Sequence, residues 1–234
     1  MPYAQEEFRN KIVLVTGGGR GIGKRLSLGF SALGARIALV ARSKAELDLA
    51  HIEIEQNGGN ALRVRGDVTD PEQMSVAVDR VRVALGGPPD IVICAAGTPG
   101  PIHDFLHSQL KQWVEALNTN LLGVVHIVRA VLPAMVERRS GKILALACDS
   151  GSPPARNFSS YNTAKTAVAR FVESVASEVV EDNVQINCFD PGPSYTSLTD
   201  EIIRASERLD PKTVANAMET RRTGGRSAAN QMKV

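Results

Sequence analysis

Tyr161 and Lys165 are the two side chains in this sequence best suited to moving a proton. They lie four residues apart in Tyr161-Asn-Thr-Ala-Lys165, which puts a phenol and an ammonium on one face of a helix. A free phenol ionises at a pH of about 10, too high for efficient proton exchange at neutrality. A lysine cation close by favours the phenolate. Tyr161 would then protonate a carbonyl oxygen during reduction or deprotonate an alcohol during oxidation, while Lys165 can also hold a ribose. In isolation the same pair reads as a half-buried tyrosine with a surface lysine.

A second chemical signal is the glycine cluster Thr16-Gly-Gly-Gly-Arg-Gly-Ile-Gly23. It follows a short apolar run and opens a helical pattern. At such a junction Gly17, Gly21 and Gly23 let the backbone turn tightly and approach a pyrophosphate, with Arg20 and Ile22 in the same turn. The helix N-terminus adds free N–H groups and a positive dipole. The next apolar run ends Val40-Ala41-Arg42-Ser43. A site that prefers NAD usually carries an acid there for the ribose hydroxyl. Arg42, with Arg20, offers cations for a 2′-phosphate instead, so NADP(H) is expected over NAD(H). Asp67, with Val68 beside it, is placed for an adenine contact or for capping the following helix. Cys94-Ala-Ala-Gly97 has the small residues, Ala96 and Gly97 among them, that let a cofactor lie close.

The elements that must position these groups alternate along the chain. Strands are expected over 11–16, 35–41, 61–68, 90–95, 142–146 and 184–189. Helices are expected over 21–33, 44–57, 71–85, 113–138 and 161–181. The strands are near-continuously apolar, as strands buried on both faces are. Right-handed crossovers then give an α/β fold with a doubly wound parallel sheet, a Rossmann fold, as a single domain over residues 1–234. Residues 196–209 read as a helical lid over the substrate and 211–222 as a further helix. The remainder to Val234 holds no apolar strand, so the last strand is expected to be missing or irregular.

Bulk properties narrow the function classes. A chain 43% hydrophobic and 22% charged is globular. Twenty-seven basic against 25 acidic residues leave +2, too little to draw nucleic acid or an anionic membrane. Cys94, Cys148 and Cys188 give neither a disulfide framework nor a zinc pattern, as in a reduced cytoplasmic protein. His51, His103, His107 and His126 form no metal-ligand cluster in the sequence. The N-terminus lacks a basic start and apolar core, and no run approaches the roughly 20 apolar residues of a membrane helix. Gly123 to Val136 is interrupted by His126, Arg129 and Pro133.

Taken with Asn118-Thr-Asn120-Leu-Leu-Gly123 and Asp190-Pro-Gly192, the two signals make the sequence resemble the short-chain dehydrogenase/reductase family, in order from about residue 11 to residue 196. The resemblance implies hydride transfer between NADP(H) and a carbonyl or alcohol. It gives Tyr161 and Lys165 the catalytic roles and Asn120 the water of a proton relay. Gly17, Gly21 and Gly23 become the cofactor turn, Asp67 the adenine contact, and Pro191, Gly192 and Thr196 the nicotinamide contacts. Ala95 stands where the family has asparagine. Cys148 stands 13 residues before Tyr161, at the place of the family's catalytic serine. A thiol is a weaker donor, and losing a donor of this kind raises a barrier by about 2.7–4 kcal/mol. Ser150, or else Ser152, is the alternative donor, and a cofactor binder without turnover is the alternative function. The implied partner is a small molecule, and a helix-mediated homodimer stays open.

Overall fold

The first strand explains the rest of the architecture. In β1 (Ile12–Thr16) all five residues are buried, so it needs cover on both faces and a neighbour on both edges. The computed structural model, which describes residues 5–147 and 154–225, gives it both. β2 (Arg36–Ala41) pairs on one edge and β4 (Ile91–Cys94) on the other. With β3 (Asn60–Arg65), β5 (Gly141–Leu146) and β6 (Val184–Phe189) they form a six-stranded parallel sheet, ordered β3-β2-β1-β4-β5-β6. The chain winds outward through β2 and β3, then returns beside β1 at β4. That reversal opens a crevice beyond the carboxyl ends of β1 and β4, where α/β sheets bind ligands.

The edge strands differ from the continuous apolar pattern expected throughout. β3 and β6 bury residues intermittently and expose Arg63, Arg65, Gln185 and Asn187, since an edge needs less cover. Two cores share the sheet. Leu14, Val40, Val92 and Ile143 face α4 (Pro71–Leu85), α6 (Gly123–Glu137) and α7 (Ser159–Glu178). Val13, Val15, Leu39 and Ile93 face α2 (Gly21–Ala32) and α3 (Lys44–Gln56). α1 (Gln5–Phe8) precedes β1 and packs Phe8 edge-on to Phe30 of α2.

Local chemistry sets the helix ends. The Ser43 hydroxyl accepts from Glu46 N–H to start α3. Asp70 caps α4 ahead of Pro71, and Gly86 stops it at φ 74°. Asp70 thus takes the capping role that Asp67 had been given as an alternative, and 66–68 leave the sheet as a loop.

The helix expected over 113–138 begins earlier, as α5 (Leu110–Leu117), and runs on through a π-turn (Asn118–Leu122) into α6. His126, Arg129 and Pro133 do not interrupt it. Leu110–Glu137 is 28 residues long with a mean hydropathy of 1.6 in its most apolar window, enough by length and composition to cross a bilayer. Its apolar residues Val124, Ile127, Val128, Val131 and Met135 are instead core residues of this domain.

After β6 come α8 (Ser197–Arg204), within the stretch expected to be helical over 196–209, and α9 (Pro211–Thr223), the further helix expected over 211–222. The described chain then returns as one antiparallel bridge, Ser194 to Gly225, and no seventh strand occurs among the described residues. His103, Asp104 and His107, close neighbours in the sequence, bring their ligand atoms within 4.8 Å of one another in the segment between β4 and α5.

Candidate active site

The glycine turn closes on the end of β4. Gly17 adopts φ +67°, its N–H donates to Val40 O at 2.8 Å, and a Cβ there would stand 2.8 Å from the Ala96 backbone. A Cβ on Gly23 would overlap Gly17 O, so Gly23 serves close packing inside the turn and does not line the crevice. α2 starts after Arg20, whose extended backbone carries no side-chain cap. The first N–H groups of α2 therefore stay available to an anion.

A cleft of about 1080 Å³ opens from this turn. Gly17, Arg20, Gly21, Ile22, Arg42 and Val68 line one end. Ala96, Gly97, Tyr161, Lys165, Pro191, Gly192 and Thr196 line the other. The Thr196 methyl lies 3.3 Å from where a Gly21 Cβ would be, so the segment leading into α8 abuts the turn. Gly192 holds φ +65°, its N–H donating to Asp190 Oδ1 at 2.7 Å.

The charges at the far end differ from expectation. The sequence reading had no acid there. α3 brings Glu46 to the cleft wall, 3.3 Å from Arg20 Nη1, and Arg42 Nη1 lies 3.6 Å from Asp67 Oδ2. Glu46 escaped because it stands on the first helical turn beyond the strand end. Both pairs are substantially exposed, and exposed pairs are worth about 0–1 kcal/mol. Asp67 itself is outside the cleft lining, its Oδ1 accepting from Thr69 N–H at 3.0 Å and Thr69 Oγ1 at 2.9 Å.

At the other end α7 carries Tyr161 and Lys165 on one face, as the spacing requires. Lys165 is 5% exposed, its Nζ 5.7 Å from the Tyr161 ring centre and donating to Leu146 O at 2.7 Å. Asn120, fully buried in the π-turn, accepts from Thr98 N–H at 3.0 Å and donates to Thr98 O at 2.8 Å and Ala116 O at 2.9 Å. Its side chain therefore clamps the loop that leaves Gly97. Burial pushes the Cys94 thiol up to about 12, against an opposing pull from Lys165, so Cys94 is no nucleophile. Cys148, Ser150 and Ser152 lie outside the described residues.

Sequence reasoning missed Arg25. From α2 its Nη1 donates to Tyr195 O at 3.0 Å, joining the helix after the glycine turn to the segment that leads into α8. Its place directly after the glycine turn was the one available hint. Thr98 and the α9 residues Asn216 and Thr220 also line the cleft unforeseen.

Comparisons with known proteins agree with this geometry. A family model described as short chain dehydrogenase matches residues 11–207. A short chain dehydrogenase of Pseudocercospora fijiensis is 31% identical over 196 residues, 83% of this chain and 63% of that protein, so the chain spans under two thirds of this relative. NAD+-bound xylitol dehydrogenase superposes with a TM-score of 0.83 at 26% identity, covering 89% of this chain and 83% of the other. L-sorbose reductase from Gluconobacter frateurii, complexed with NADPH and L-sorbose, gives 0.76 at 32%, covering 85% and 74%.

Proposed function

The chain belongs to the short-chain dehydrogenase family, and from that premise we propose that it is an NADP(H)-dependent oxidoreductase in which Tyr161 exchanges the proton between an alcohol and a carbonyl. The oxidoreductase class and a small-molecule substrate follow from membership. The finer reading rests chiefly on one observation: a buried lysine ammonium beside the Tyr161 ring, in the same cleft as a glycine cradle.

The dinucleotide fits the residues present. Gly17 at φ +67° turns the backbone tightly against Ala96, where a Cβ would collide, and the uncapped start of α2 suits a pyrophosphate. When bound, the nicotinamide supplies or accepts the hydride. Lys165 stabilises the phenolate of Tyr161 electrostatically. Tyr161 gives its proton to the substrate oxygen in reduction and takes it back in oxidation. Asn120 holds Thr98 at the cleft wall, and the lid segment around Thr196 limits water.

Solved neighbours hold either dinucleotide, NAD+ in xylitol dehydrogenase and NADPH in L-sorbose reductase. The preference for NADP(H) therefore rests on Arg20 and Arg42 at the cleft wall. Their weak pairings let both guanidiniums turn toward a 2′-phosphate. Free Cys94 and Cys188 suit the reducing cytoplasm in which we place the enzyme.

The test follows NADPH oxidation against a panel of small carbonyls. Tyr161→Phe is expected to lower kcat by about 10²–10⁴-fold, the usual weight of a general acid, with NADPH affinity unchanged. Absence of turnover by the wild type across the panel, or full activity in Tyr161→Phe, would overturn the reading.

A further inference from the structure

The segment between β4 and α5 gathers three metal-ligating groups that the cleft does not use. Asp104 stands between two imidazoles: Oδ2 is 2.9 Å from His103 Nδ1 and Oδ1 is 2.7 Å from His107 Nδ1. One ligand atom from each of the three residues lies within 4.8 Å of the others, and the rings are 5.8 Å apart. None of the three lines the active-site cleft.

We propose that His103, Asp104 and His107 form a binding site for one divalent late transition metal of the zinc class, outside the active site. The donor set decides the class. Two imidazole nitrogens and one carboxylate oxygen suit Zn²⁺, Co²⁺, Ni²⁺ and Cu²⁺. Mg²⁺ and Ca²⁺ need shells made mostly of oxygen, and Cu⁺ calls for thiolate or thioether.

The distances are compatible with this occupant. Bonds of about 2.0–2.1 Å in a tetrahedral shell put donor atoms ~3.3 Å apart. The two imidazoles meet different oxygens of Asp104, at 2.9 and 2.7 Å, and the three donor atoms lie within 4.8 Å of one another, so side-chain torsions must draw them onto one shell around the ion. Three protein donors leave the fourth position to water.

The backbone already fixes the geometry. His103 N–H donates to Asn157 O at 3.0 Å, and His107 N–H to Asp104 Oδ1 at 3.2 Å. Less ordering is then needed when the ion enters. The side chains are reachable, His103 being 35% exposed and Asp104 43%. Asn157 stands four residues before Tyr161 and also donates from its side chain to Arg208 O beyond α8. The ion would therefore brace the chain just before α7, outside the cleft.

The experiment uses the whole, tag-free chain after chelator treatment, titrated with Zn²⁺ by calorimetry and with Co²⁺ by visible absorption. The expected result is one ion per chain, with a Co²⁺ spectrum showing nitrogen ligation and no competition from Mg²⁺ or Ca²⁺. His107→Gln and Asp104→Asn should each weaken binding at least tenfold, and the His103→Gln/His107→Gln double variant should abolish it. Tyr161→Phe should bind as the wild type does. Circular dichroism of the metal-free variants controls for folding. No stoichiometric uptake by the wild type, or undiminished uptake by the double variant, would overturn the proposal.

Discussion

Arg42 and Arg20 show how a single side chain can be legible in type and illegible in company. The sequence placed both cations at the end of the second strand and in the glycine turn, and both line the cleft. It did not reveal that each leans on a carboxylate, Glu46 or Asp67, because those pairings cross from one element to another. Asp67 is illegible in company too, its Oδ1 engaged by Thr69 two residues on while its Oδ2 faces Arg42. The pairing matters for cofactor choice, since a charge-assisted hydrogen bond to phosphate contributes about 1.5–3 kcal/mol. Arg42→Asp should therefore weaken NADPH binding by roughly 10–100-fold and leave NADH binding within a few fold. Fluorescence titration of both dinucleotides checks this, and equal losses would defeat the charge argument.

Among the elements, the segment leading into α8 depends on a contact that periodicity does not disclose. Arg25 reaches from α2 to Tyr195 O, and Tyr195 N–H reaches on to Gly224 O at 3.1 Å. The cost is visible, because Arg25 Nε and Nη2 are buried without a partner among the described residues, and burial pushes the guanidinium pKa down. Replacing a partly buried, poorly satisfied cation by an apolar side chain of similar length is often neutral or stabilising. Arg25→Met is thus expected to keep or raise Tm while raising KM several-fold, since the lid segment loses its tether to the cofactor-turn helix. A fall in Tm with unchanged KM would assign Arg25 a purely structural role. Strands and helices themselves were largely legible, being set by apolar runs and by Ser43, Asp70 and Gly86. The π-turn was not, because five residues of wider winding leave no mark in an apolar pattern already rich on every side.

At the scale of the whole molecule, the two cores share the backbone of one sheet, with Val13 and Val15 facing one and Leu14 the other. Neither core can come apart and leave the strands of the other in place. Urea unfolding should accordingly be one transition. Trp113, the sole tryptophan, donates from Nε1 to Ser159 Oγ at 3.0 Å and so reports the junction of α5 with α7. Its fluorescence midpoint should coincide with that of far-ultraviolet circular dichroism, and an earlier tryptophan transition would mean a separable unit. The doubly wound order was legible because parallel strands buried on two faces allow few alternatives. The C-terminal return to Ser194 was not, since it rests on one bridge. The long rod through Asn118–Leu122 works as an indexing device. Each residue advances a helix by about 100°, so one extra residue in the turn dials the inward side of α6 away from that of α5. The first half can address α7 while the second addresses α4. Deleting one residue there would leave the composition almost unchanged and misalign half the rod, so that stretch tolerates changes of spelling better than changes of length.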